Sequence, residues 1–384
     1  MKIFNNLLFR VILAIVLGIL IGSFANAQFV GVFVTINALF SQFLGFIIPL
    51  IIVGLIIPSI GNLGNQAGKM VGITALIAYG STLFAGFLSF GTSMAFFPNL
   101  LQNQSLSQVA EEEAIKPFFE IAIPPFMDVM SALIFAFIVG IGLAKIQHSV
   151  LLQASLEFEK IINMIIEKVI IPFLPIFIFG IFLNMTHSGQ AFVILNVFAK
   201  IIVVIFILHV AVLLIQFIIA GLIAGKNPFT SLKLMLPAYF TALGTQSSAA
   251  TIPVTLQQVQ KIGVSDSIAK LVVPLCATIH LSGSTLKIVA CCIALMMIQG
   301  MPIDFLSSSG FILMLGVAMV AAPGVPGGAI MAAIGIIGTM LGFDAQNQAL
   351  MIALYIAMDS FGTAGNVTGD GAIAMVMDKF FKKY

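Results

Sequence analysis

Apolar residues along this chain come in long blocks rather than in a helical or strand period. Blocks at 7–26, 31–62, 70–97, 127–147, 161–186, 189–225, 267–299 and 346–377 each reach the roughly 17–25 residues that a helix needs to cross a bilayer. The second is long enough that it must tilt or protrude. Segments apolar all round predict buried or membrane-spanning helices. The pattern therefore predicts an all-α polytopic membrane protein with eight transmembrane helices.

Two further apolar segments break in the middle. The segment 227–262 is interrupted by Thr245-Gln246-Ser247-Ser248, which leaves arms of about 12–15 residues, too short to span. Its ends carry Lys226 and Lys233 on one side and Lys261 and Lys270 on the other, so both ends belong to one membrane face. The segment 301–345 is interrupted by Pro323-Gly324-Val325-Pro326-Gly327-Gly328, a run that cannot continue a helix. Its ends carry Asp304 and Asp344 and no cation, which places it on the opposite face. Both segments are predicted to be re-entrant helical hairpins, since non-helical backbone at membrane depth persists only inside protein or beside a water-filled cavity. Each is followed by one long helix with a polar break, at 266–299 and 346–378. The unit hairpin plus helix thus occurs twice with opposite orientation, the arrangement of inverted-repeat secondary transporters. Gly-rich helix packing would explain the glycines but not the paired polar tips.

Composition agrees. Only 8% of the 384 residues are charged and 60% are hydrophobic, whereas a soluble domain carries about 25% charged residues. A net charge of +2 without a basic cluster gives nucleic acid no footing. The lysines and arginines sort to one side of the membrane. Lys2, Arg10, Lys69, Lys145, Lys160, Lys168, Lys226, Lys233, Lys379, Lys382 and Lys383 fall inside, and the acidic loop 98–126 with Glu111-Glu112-Glu113 falls outside. Both termini are expected in the cytoplasm of a multi-pass inner or plasma membrane protein. Ala25-Asn26-Ala27 resembles a signal-peptidase site, but the preceding apolar run is long for a signal peptide and is read as a retained first span. Cys276, Cys291 and Cys292 lie in apolar sequence without disulfide or metal-ligand spacing and read as packing residues.

Ionisable residues at membrane depth are functional candidates by default. The last helix carries Asp359, Asn366 and Asp370 at i, i+7 and i+11, on one face, with Gly362 and Thr363 between. Within Asn366-Val367-Thr368-Gly369-Asp370, backbone carbonyls released from the helix would join a carboxylate and an amide oxygen, a hard-oxygen set suited to an alkali cation. Two aspartates held by structural hydrogen bonds are the alternative. The preceding helix carries His280, Ser284 and Lys287 at i, i+4 and i+7, again one face, with Lys287 too deep to reach either surface easily. Its partner would be an intramembrane Asp or a substrate carboxylate. His148, His187 and His209 have no polar company and read as structural.

From about 227 to 378 the chain resembles the dicarboxylate/amino acid:cation symporter family, the glutamate-transporter fold. The resemblance rests on Thr245-Gln-Ser-Ser-Ala-Ala-Thr-Ile-Pro253, Pro274-Leu-Cys-Ala-Thr-Ile-His-Leu-Ser-Gly-Ser284, Gly324-Val-Pro-Gly-Gly328 and Asn366-Val-Thr-Gly-Asp370. Together, in this order and spacing, they are specific; the N-terminal half matches in its spans, with Tyr79 and Thr82 as a local match. The resemblance implies an elevator-type transporter, usually a homotrimer. Residues 1–226 would be mostly scaffold, with the third and sixth spans joining the transport domain of 227–384. The implied substrate site is Ser247, Ser248, Ser284, Val325, Pro326, Asp359, Gly362, Thr363 and Asn366. Ser248 and the Val325-Pro326 tip would hold an α-carboxylate, and Asp359 would pair with an amine. Sodium would be held by Asp370 with carbonyls around Cys276, His280 and Asn366, and a second ion by Thr278 and the second hairpin. No cofactor beyond coupling ions is implied.

Two departures from the family pattern bear on specificity. Gly362 stands where acidic-substrate members place an arginine, so the fork that grips a side-chain carboxylate is missing and a small neutral amino acid becomes the simplest substrate. Lys287 could replace that cation, which keeps an acidic amino acid or dicarboxylate as the alternative. The family's Asn-Met-Asp-Gly-Thr is here His280-Leu-Ser-Gly-Ser284. The aspartate of a further sodium site has become Ser282, and Leu83 stands for a serine of the third span, so coupling should use fewer sodium ions or bring in a proton through His280. An anion channel is a rival reading. An enzyme is not expected, because nothing orients His280 and Ser284 as a dyad.

Overall fold

A computed structural model describes residues 7–65, 69–102, 115–146, 150–189, 191–322 and 326–381. All regular structure among them is helical. The first half comprises α1 (Leu7–Gly22), α2 (Ala27–Asn65), α3 (Lys69–Leu100), α4 (Val129–Lys145), α5 (Val150–Ile165), α6 (Ile171–His187) and α7 (Ala191–Ala224). The second half comprises α8 (Pro228–Thr245), α9 (Ser248–Lys261), α10 (Asp266–Ile279), α11 (Ser282–Ile298), α12 (Phe305–Val320), α13 (Gly328–Leu341) and α14 (Ala345–Phe381).

Local chemistry places several boundaries. Asp128, Asn227, Ser247 and Asp304 accept from the backbone N–H three residues on and start α4, α8, α9 and α12, each satisfying a donor the first turn would leave unpaired. Pro228 occupies the first position of α8, where a missing N–H costs nothing. Gly225 at φ 69° and Gly342 at φ 70° end α7 and α13 in left-handed backbone that a side chain would disfavour.

Six helical stretches are long and apolar enough to span: Ala27–Gly61, Lys69–Leu100, Val150–His187, Ala191–Ala224, Asp266–Ile298 and Ala345–Phe381. Helices α1 and α4, at 16 and 17 residues, are shorter apolar helices, as are α12 and α13. The fifth predicted span is longer than expected. Its helix begins at Val150 and runs through a π-helical turn at Ile166–Ile170 into α6. Lys160, expected just before the span, therefore lies on this helix, and Lys168 lies in its π-helical turn. Gln153, Glu157 and Lys160 are exposed along it, so an amphipathic face carries the helix past the apolar block. Pro172 has no N–H to give the carbonyl four residues earlier, which accounts for the widened turn.

Helix α2 packs on α4, α5 and α6, and α1 packs on α6. Around α14 gather α7, α8, α9, α10, α11 and α13, with α3 laid along α11 and α12. The most apolar windows of Asp266–Ile298 and Ala345–Phe381 are 94% and 89% buried, against 28% for Lys69–Leu100. These two long segments form the centre of the molecule, and they carry the candidate ionisable residues.

Candidate substrate and ion site

Three interruptions meet around the middle of α14. The first hairpin turns at Gln246, whose φ of 54° is the single left-handed non-glycine among the described residues, and Ser247 then caps α9. The second hairpin returns through Gly327 at φ 75° into α13. Between α10 and α11 the chain is extended at His280, with the His280 N–H on the Cys276 carbonyl at 2.9 Å. Only α14 runs unbroken.

Between these elements lies a small cavity of about 20 Å³, room for about one water. Gln246, Ser248, Ser284, Asp359, Thr363 and Asn366 supply its polar wall, with Tyr355 and small apolar residues closing it. Asp359 Oδ2 accepts from the Gly327 N–H at 2.7 Å, so its carboxylate sits on the positive end of α13. Asn366 bridges α14 to α11: its Oδ1 accepts from the Gly283 and Ser284 N–H groups at 2.8 and 3.3 Å. Its Nδ2 donates to Ser284 Oγ at 3.1 Å, where the Tyr355 hydroxyl also donates at 2.9 Å. Gln246 Nε2 ties the first hairpin to Ser360 Oγ at 2.8 Å.

Lys287 and Gly362 stand just behind this wall. The Lys287 ammonium donates to the Met358 carbonyl at 2.8 Å and lies 4.4 Å from the Tyr355 ring centre. It is 1% exposed and does not line the cavity. A Cβ at Gly362 would land on its Nζ and Cε. The missing side chain at 362 is thus the space the lysine occupies.

A second polar cluster lies along α14. His280 Nδ1 is 2.9 Å from Asp370 Oδ1, and His280 Nε2 is 3.1 Å from Ser81 Oγ on α3. From α7, Gln216 Nε2 donates to Ser81 Oγ at 2.9 Å and to Ser282 Oγ at 3.1 Å.

The predicted residues are therefore distributed unevenly. Ser248, Ser284, Asp359, Thr363 and Asn366 meet at one cavity. Ser247 caps α9 instead, with Oγ accepting from the Ala250 N–H, and Pro326 is half-buried outside the cavity lining. Val325 lies outside the described residues, as do Glu111-Glu112-Glu113, His148 and Lys382-Lys383. His280, Ser284 and Lys287 do not share one helix face, because the break at His280 turns the imidazole toward α3 and Asp370 while Ser284 and Lys287 follow α11. Nor are carbonyls released at 366–370: α14 is regular there, and the extended backbone is at His280 instead. Cys276 is buried with its carbonyl on the His280 N–H, and the exposed Thr278 hydroxyl donates to the Leu275 carbonyl. Gln246, Tyr355, Ser81 and Gln216 were not anticipated. Gln246 was legible within the Thr245–Pro253 motif and Ser81 stands beside Thr82 in the local match of the third span, whereas Gln216 is a single polar residue in an otherwise ordinary span.

Two broken-helix units that gather polar side chains inside an apolar bundle are the marks of a polytopic membrane transporter. The sodium:dicarboxylate symporter family model matches residues 7–380, and the chain belongs to this family. A serine/threonine transporter SstT from Acinetobacter baumannii (strain AYE) is 27% identical, with 97% of this chain and 96% of the relative covered. The protein of the same name from Acinetobacter baylyi (strain ATCC 33305 / BD413 / ADP1) is 24% identical, with 98% of each covered.

Proposed function

We propose that the protein is a secondary active symporter that couples sodium influx to uptake of a small neutral amino acid. The observation that carries this reading is the pairing of an acidic group on the cavity with a cation withdrawn from it. Asp359 faces the cavity, while Lys287 is folded behind Tyr355 and fills the place left by Gly362. An amine has a partner there, and a side-chain carboxylate has none. The names of the two Acinetobacter relatives agree with a hydroxyl-bearing neutral substrate. Lys287 as a direct ligand for an acidic substrate would require it to leave both the Met358 carbonyl and the Tyr355 ring.

A zwitterion also fits the contact that closes the cavity. Inserted between Asp359 and Gly327, its amine would pair with the carboxylate, and its own carboxylate would take over the α13 N-terminus, keeping charge complementary at both ends. The second hairpin would open to admit it. On this reading both hairpins, α10, α11 and α14 form the moving part of an elevator with α3 and α7. The remaining helices form the scaffold of a homotrimer, α1 and α4 complete eight spans, and both termini are cytoplasmic.

The test is a thermal-shift screen of the purified protein against amino acids with sodium or choline, followed by uptake into liposomes under imposed gradients. Serine, threonine or alanine should raise the melting temperature in sodium and not in choline, since binding to the folded state stabilises it by mass action. Equal uptake with the sodium and proton gradients both absent would sink the symport reading, and a response confined to acidic ligands would sink the substrate assignment.

A further inference from the structure

Asp370, the carboxylate that the family resemblance implies for sodium, already has a neighbour in this chain. His280 Nδ1 lies 2.9 Å from its Oδ1, and both residues are 1% exposed. What holds the imidazole there comes from two other helices. Gln216 Nε2 directs its two hydrogens to Ser81 Oγ and Ser282 Oγ. With Ser81 Oγ accepting from the amide, its own hydrogen is free for His280 Nε2, 3.1 Å away. A nitrogen that accepts in a neutral imidazole leaves the proton on the other one. The chain of donors therefore runs one way, from Gln216 through Ser81 and His280 Nδ1–H to Asp370. Gly369 makes room for it, since a Cβ there would sit 2.6 Å from His280 Cε1 and 2.9 Å from Gln216 Oε1.

We propose that Gln216 and Ser81 are positioning residues that hold His280 as a tethered donor on Asp370, so that the coupling cation gains this carboxylate only by displacing the imidazole. The concentration of sodium needed would then be set by α7 and α3, through a chain that contributes no ligand itself. Ser282 belongs to the same device. The site whose aspartate it replaces has become an anchor for the amide of Gln216. This inference rests on the sodium-symport reading for its cation and on geometry for the rest.

The experiment titrates sodium against the melting temperature of the purified full chain in four forms: wild type, Gln216→Leu, His280→Asn, and the double variant. Losing one hydrogen bond of the chain should lower the sodium concentration at half effect about 3- to 10-fold in Gln216→Leu. His280→Asn should lower it at least as much, and adding Gln216→Leu to His280→Asn should change it by less than about twofold, because the residue it positions is gone. An unchanged midpoint in Gln216→Leu, a raised one, or effects that add in the double variant would each overturn the proposal. A second measurement does not depend on transport. With ¹⁵N-labelled histidine, of which the chain has 4, His280 should report the Nδ1–H tautomer that the Asp370 carboxylate requires, and its Nδ1–H should exchange with water faster in Ser81→Ala than in the wild type. If sodium moves no form of the protein, the symport reading fails, and the histidine measurement alone decides the positioning chain: an Nε2–H tautomer in the wild type, or equal Nδ1–H exchange in wild type and Ser81→Ala, would refute it.

Discussion

A single methyl group added at Gly362 should be felt mainly through Lys287. The new Cβ would occupy the position of Nζ and Cε, whereas its next neighbour, Ser284 Oγ at 3.4 Å, is an ordinary contact. The ammonium has no water to move to at 1% exposure, so it must surrender the Met358 carbonyl and the face of Tyr355. A hydrogen bond from a charged donor contributes about 1.5–3 kcal/mol, and a desolvated cation–π contact about 0.5–2 kcal/mol. Alanine in a helix interior returns up to about 1 kcal/mol over glycine. Gly362→Ala is thus expected to destabilise by about 1–4 kcal/mol. In a Lys287→Ala background the obstacle is absent, and the same substitution should be neutral or stabilising by up to about 1 kcal/mol. The chain has no tryptophan, but its three cysteines are free and buried, so a thiol-reactive dye reports unfolding on heating. All four corners of the cycle can be read this way. The reasoning is refuted if Gly362→Ala costs the same with lysine or alanine at 287, since the glycine would then serve the backbone rather than the ammonium.

Asp359→Asn keeps an acceptor for the Gly327 N–H but removes the charge opposite an amine. Amino-acid affinity, read from substrate-dependent thermal shifts, should fall about 10- to 100-fold while the melting temperature without substrate changes little; unchanged affinity would remove Asp359 from the site. At the start of α12, outside the spans, the Ser307 N–H on the Asp304 carboxylate, and then the Ser307 hydroxyl, hold this group below the usual aspartate range. A depressed folded pKa gives stability that is present above the unfolded value and lost as pH falls through the folded one. The difference in melting temperature between wild type and Asp304→Ala should therefore be constant near neutral pH and shrink only below about pH 4; a difference that persists at pH 2.5 would argue against the carboxylate cap.

The apolar blocks and their interruptions were enough to read the membrane class, both hairpins and the break in the seventh predicted span, because a bilayer imposes one strict condition on length and backbone satisfaction. Ser248, Asp359, Thr363 and Asn366 were legible as a group because intramembrane polar residues are costly, and these follow the spacing of one helix face or a hairpin tip. The fifth predicted span was misjudged at its start, because an amphipathic extension does not look like a spanning segment. The place of the irregular backbone was also misread. Asn366-Val367-Thr368-Gly369-Asp370 is polar enough to suggest a break, but Asn366 is satisfied by α11 and Asp370 by His280, so the helix stays closed there.

By itself, then, the sequence determined the all-helical membrane class, the helical hairpins and which few charged groups the apolar segments bury, since local composition alone decides those costs. Only the tertiary structure decided how the groups are used. Gly362 and Lys287 are 75 positions apart in the chain, and nothing local reveals that the ammonium of one fills the empty side-chain space of the other. Gln216, Ser81 and His280 come from three separate segments and act as one line of donors only because α3 and α7 pack on either side of the break at His280. Hydrogen bonds between helices depend on rotation and approach to within about an ångström, and that is set by packing rather than by spacing along the chain.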